Sequence, residues 1–173
     1  MLTWAAIIVI IIAHTIRIFN MKEEPVNIAE NDDFKTNHPE NIPSPFDQMK
    51  TILKNLGFIL DEHEYGISFS FERINMTILN NNDPYFIGII IPGIMDIVDY
   101  EEIIIYRIAD QINGELRNVK ACVVNDSLCL TYERELHLDE IIEEGLVESM
   151  IYSLARAYIK IDKNYKKINE SGI

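Results

Sequence analysis

The chain has 173 residues, of which 48% are hydrophobic and 25% charged, the balance of one globular domain with appendages. Its formal net charge of −13 argues against a nucleic-acid partner, because phosphate binding needs clustered Lys and Arg. Such a surface fits solubility, or a partner that carries positive charge.

Residues 1–16 carry no charged side chain. A helix over them spans roughly 24 Å, and it reaches across a ~30 Å hydrocarbon core only if Ile18 and Phe19 join it and Arg17 snorkels. Neither a basic n-region nor a small-residue cleavage site marks it as a cleaved signal. Residues 1–19 are therefore expected to form a transmembrane anchor. Positive side chains occur only after it, at Arg17 and Lys22, which predicts a single pass with the following domain facing the cytoplasm. A start at Met21 would instead give a soluble cytoplasmic protein. Residues 20–43 lack hydrophobic periodicity and set six acidic side chains against Lys22 and Lys35, so they read as a flexible acidic linker. Negative charge keeps such a linker off anionic lipid.

A folded domain is expected over 44–168, followed by a tail at 169–173. Ser44 and Pro45 suit the start of a helix, with Phe46, Met49, Ile52, Leu53 and Leu56 on one face and Gly57 as its stop. A short strand over 58–60 should lead to a turn at Glu64, Tyr65 and Gly66. Ile67, Phe69 and Phe71 then alternate with polar residues as a half-buried strand. Met76, Ile78 and Leu79 mark the next strand. Residues 85–91 are apolar on both faces and read as a central strand, closed by a turn at Pro92, Gly93 and Ile94.

Asp99 and Glu102 make a capping-box pattern for a second helix, with Ile104, Ile105, Ile108, Ala109 and Ile112 as its core stripe and Asn113-Gly114 as its end. The following run is a hairpin turning at Asn125-Asp126, two residue types that tolerate positive φ. That register sets Val123 opposite Leu128, Ala121 opposite Leu130 and Val119 opposite Tyr132 on one apolar face. The other face then pairs Cys122 with Cys129, their Cα atoms about 5.5 Å apart. A cross-strand disulfide and two neighbouring reduced thiols both fit that geometry. A long helix over 139–168 completes the domain, acidic in its first half and basic in its second, as the helix dipole favours.

The segments LKNLGFILDE, FIGIIIPGI and VKACVVNDSLCLTYE, with the helix ending Ala109 to Asn113, resemble the YbjN family of bacterial proteins, often labelled sensory-transduction regulators. The likeness covers residues 46–167 and leaves the anchor and linker outside. It implies an α+β fold of helix, four antiparallel strands, helix, β-hairpin and long C-terminal helix. That fold is similar to class I type III secretion chaperones, small proteins that commonly dimerise and bind other polypeptides. A bacterial setting makes the membrane of residues 1–19 the inner membrane.

No residue pattern carries chemistry. His14, His38, His63 and His137 are dispersed and match no HExxH spacing. His63 lies beside Glu62 and Glu64, where a raised pKa or a weak metal site is conceivable. Asp96, Asp99, Glu101 and Glu102 surround a helix start, Asn81, Asn82 and Asp83 lack a calcium-loop order, and Gly88 and Gly93 lack phosphate-loop spacing. No catalytic residue, cofactor or metal is assigned, and an enzyme is not expected. The expected function is a non-catalytic protein-binding or chaperone-like module, tethered to the membrane and regulatory in role. Its partner would be another protein or a second copy of itself, met through Phe58, Phe69, Phe71, Ile87 and Ile89 or through a strand edge. The alternative is a small-molecule or redox sensor using a pocket over the sheet or the Cys122/Cys129 pair.

Overall fold

The first helix, α1 (Pro45–Asn55), starts where a side chain can satisfy its free N–H groups. The Ser44 hydroxyl accepts a bond from the Asp47 N–H at 3.1 Å. Met49, Ile52 and Leu53 form its buried face. Gly57, at φ +84°, turns the chain out of the helix while the Phe58 N–H still reaches the Leu53 carbonyl at 3.1 Å. This computed structural model describes residues 43–80, 83–137 and 140–170. The anchor expected at 1–19 and the linker at 20–43, save Pro43, lie outside them. Among the described residues no helix is long and apolar enough to cross a membrane.

Six strands follow in one antiparallel sheet: β1 (Asp61–His63), β2 (Gly66–Phe71), β3 (Ile74–Leu79), β4 (Phe86–Asp96), β5 (Val119–Val124) and β6 (Ser127–Glu135). Their spatial order is β1-β2-β3-β4-β6-β5, with β4 well inside the sheet. Helices α2 (Glu102–Glu115) and α3 (Glu144–Glu170) complete the α+β domain. Strand period two sorts each strand into two faces. Phe69, Met76, Ile78, Ile87, Ile89, Ile91, Leu128, Leu130, Tyr132, Val119 and Ala121 share one core with Met49 and Leu53 of α1, Ile105, Ile108 and Ile112 of α2, and Met150 and Leu154 of α3. All three helices therefore lie on that face. Ser68, Thr77, Ile90, Thr131, Cys122 and Cys129 occupy the opposite face, which no described helix covers.

Four boundaries differ from the sequence expectation, each for a tertiary reason. The first strand forms at Asp61–His63 and not at 58–60: its pairing with β2 ends at Asp61 opposite Ser68, and Phe58 and Leu60 pack against the core instead. Strand β4 continues past Pro92. Ile91 pairs with Leu130 and Met95 with Leu128, so a bulge absorbs the surplus residues, with Gly93 at φ +64°. Helix α2 starts at Glu102, three residues after Asp99. The Ile97 N–H is held by the Asp126 carbonyl at 2.8 Å, and the Asp99 and Tyr100 N–H groups turn back to Asp96, so the Asp99–Glu102 capping box does not form.

Helix α3 likewise starts at Glu144, later than the expected 139. Residues 140–143 are held outside the helix by bonds to one distant and two nearby partners. The Ile142 N–H donates to Gln48 Oε1 of α1 at 2.9 Å, while the Glu140 carboxylate accepts from Arg134 at 2.6 Å and from the His137 N–H at 3.0 Å.

Candidate functional site

Of the five residues expected to form a partner surface, three are core. Phe69, Ile87 and Ile89 are 4%, 3% and 1% exposed, because strand alternation turns them toward the helices. Phe58 and Phe71 are half-buried and stand at the margin of that core. Phe58 meets Phe69 edge-on at 5.1 Å and Phe71 at 6.3 Å, and Phe71 meets Tyr152 of α3 at 5.3 Å with the rings perpendicular. The four rings run from the interior to the surface, where Tyr152 is 53% exposed.

Beside the outer rings lies a depression of about 190 Å³ lined by Leu56, Phe58, Phe71, Glu148, Ile151 and Tyr152. Ile59, next to Phe58 in the chain, is 92% exposed. A depression with aromatic and aliphatic walls and the Glu148 carboxylate at its side is a surface on which an apolar side chain of another polypeptide finds burial area. Tyr152 carries the exposed end of it. No reading of the sequence marks that residue, since on a long helix it looks like any tyrosine.

The sheet edges are less open than the sequence suggests. β5 is the last strand, yet the Asn113 side chain of α2 donates to the Ala121 carbonyl at 2.9 Å and accepts from the Ala121 N–H at 2.8 Å. That amide occupies the place a further strand would take. At the other edge, the three residues of β1 cover only the first half of β2.

Cys122 and Cys129 face each other across β5 and β6 in the expected register, and both are free thiols. Since Ala121 turns its backbone groups outward to Asn113, the neighbouring Cys122/Cys129 pair is a hydrogen-bonded one. Burial pushes the Cys122 thiol up to about 11, with Cys129 and Glu133 adding repulsion. Burial also raises the Cys129 thiol, against a lowering contribution from a backbone bond to Gly93. Both stay protonated near neutral pH, the opposite of an activated nucleophile.

His63 makes no site with its sequence neighbours. Its Nε2 lies 2.9 Å from the Ser68 hydroxyl, which lies 2.9 Å from that of Thr77, in a row on the face away from the helices. Glu62 points to the other face, where it pairs with Lys50 and with Lys54 at 3.7 Å. The hydrogen bond from Lys50 holds its carboxyl below the usual range. Asp96, Asp99, Glu101 and Glu102 are all exposed around the turn before α2. Among the described residues no three His, Cys, Asp or Glu side chains converge as metal ligands.

The fold is similar to that of a solved structure. An uncharacterized protein from Methanothermobacter thermautotrophicus superposes with a TM-score of 0.50 at 13% identity, over 70% of this chain and 96% of that one. The Yersinia pestis type III secretion chaperone SycH, solved in complex with a stable fragment of YscM2, is similar with a TM-score of 0.47 at 12% identity, over 67% of this chain and 98% of that one. At such identities the likeness to the Methanothermobacter protein is one of fold alone. No protein-family model matches the chain, so the YbjN resemblance rests on the quoted segments. No curated protein matches it in sequence either.

Proposed function

We propose that the domain from Ser44 onward is a non-catalytic, chaperone-like module that binds another polypeptide, with the aromatic row ending at Tyr152 as its contact. The observation that supports this reading is the depression beside Phe58, Phe71 and Tyr152, an aromatic-walled surface whose outer ring is more than half exposed. Its partner inserts an apolar side chain against these rings, and the YbjN-like setting gives the module a regulatory role. The reading includes a single-pass anchor at 1–19 in a bacterial inner membrane, with the domain on the cytoplasmic side.

A photo-crosslinking amino acid at Tyr152 of the full chain, expressed in its own cells, tests the contact against the same label at Lys120, an exposed position on the sheet face away from the helices. The expected result is a discrete crosslinked polypeptide from position 152 and none from position 120. Equal yields at the two positions would sink the reading. A product at twice the chain's mass would identify the partner as a second copy. Membrane fractionation tests the anchor separately: the full chain should sediment with membranes and a version starting at Met21 should not.

A further inference from the structure

A second depression lies further round α3, about 160 Å³ in volume and lined by Leu116, Arg117, Asn118, Val119, Ser153 and Arg156. Leu116 and Val119 give it apolar walls, while two guanidinium groups, a hydroxyl and an amide stand at its rim. The arginines come from different elements. Arg117 lies in the link from α2 to β5, and Arg156 projects from α3 one turn after Ser153. Asn118 donates to the Tyr132 hydroxyl at 3.2 Å, which holds its amide in one orientation.

The charge pattern here runs against the rest of the chain. Acidic residues outnumber basic ones 28 to 15, so a carboxylate partner is the default for any arginine. Neither Arg117 nor Arg156 has an ion-pair partner among the described residues. The nearby carboxylate of Glu115 is engaged by Lys160, one turn beyond Arg156. Two uncommitted guanidiniums thus share one small concavity.

We infer that this depression binds the phosphate group of a small molecule. Two guanidiniums match the charge of a phosphate monoester and offer planar forks of donors to its oxygens. The Ser153 hydroxyl supplies a further neutral donor. The volume is well below the 300–1,000 Å³ typical of pockets for drug-sized ligands, so the phosphate is held and the rest of the molecule stays outside. A net charge of −13 disfavours extended polyanions such as nucleic acid and favours a short-range site for a compact anion.

Titrating the full chain with inorganic phosphate tests this, read by thermal shift and by broadening of the phosphorus resonance, against chloride at matched ionic strength. Phosphate should give a saturable rise in Tm that chloride does not. Arg117→Gln and Arg156→Gln should each weaken binding about tenfold, as loss of one charge-assisted fork predicts, and the double variant should abolish it. Lys163→Gln, an exposed cation elsewhere on α3, should leave it unchanged. All three positions are exposed, so unaltered circular dichroism is expected for each variant. A shift no larger than that of chloride, or one that survives in the double variant, overturns the site. Tighter binding of malonate than of phosphate overturns the assignment to phosphate.

Discussion

Two hairpins of this sheet have the same backbone and opposite sequences. In β5–β6 the turn is Asn125-Asp126, with φ of 50° and 61°; in β2–β3 it is Glu72-Arg73, with φ of 49° and 68°. Both are two-residue loops with left-handed geometry at each position, the form that matches the right-handed twist of the strands. Asn and Asp adopt that region readily, whereas Glu and Arg have no local reason to enter it. The second turn exists because its strands demand it. Phe69 opposite Met76, Ile67 opposite Ile78 and Phe71 opposite Ile74 lock the register on the core face, and only two residues remain to reverse the chain. Strand pairing therefore imposes a turn that its own residues disfavour.

The face away from the helices extends the contrast. Each hairpin has one facing pair near its middle: Ser68 with Thr77 in one, Cys122 with Cys129 in the other. The first pair is joined by a hydrogen bond of 2.9 Å, while the second is two protonated thiols.

The largest expected effect tests whether the core really sustains both hairpins. Phe69→Ala should cost about 3–5 kcal/mol and Leu128→Ala about 2–5 kcal/mol in urea unfolding followed by circular dichroism, since both side chains are buried. A loss below about 1 kcal/mol for Phe69→Ala would mean that β2–β3 is not held by its core face. The turns themselves come next. Replacing Glu72-Arg73 by Asn-Gly should stabilise the protein by about 1–2 kcal/mol, and Asn125→Glu should cost a comparable amount. If both exchanges are neutral, the strain attributed to Glu72 and Arg73 is absent.

The smallest effect concerns the thiols. Because the Cys122 thiol is raised to about 11 from an ordinary 9.0, the folded state keeps its proton where the unfolded chain loses it. That contribution is fully present below about pH 9 and is lost as the pH rises from there toward 11. At pH 8, iodoacetamide should therefore label Cys122 and Cys129 far more slowly in the folded protein than in urea. Labelling at the same rate in both states would revive the redox-sensing alternative, which needs a reactive pair.

Much of the fold was legible because it is written in short-range periodicity. Alternation at Ile67, Phe69 and Phe71, the Ile stripe of α2, the Ser44 cap and the Asn125-Asp126 turn all follow from residues within a few positions of one another. The full β5–β6 register, facing cysteines included, came from a turn signal and one apolar face. The candidate site was hardly legible. Phe58, Phe69 and Phe71 look alike in the chain. Phe69 and Phe71 share the core face of β2, and only the packing of the helices over that strand makes one of them core and leaves the other at the margin.

The sequence by itself thus determined the element types, their order and one complete hairpin, because dihedral preference and hydrophobic period act locally. Only the tertiary structure decided where β4 bends, where α3 begins, that Tyr152 completes an aromatic row, and that Arg117 and Arg156 share a concavity. Each of these depends on groups far apart in the chain: the bond from Ile142 to Gln48 spans 94 residues. Contacts of that range are set by the packing of whole elements, and no periodicity in the chain encodes them.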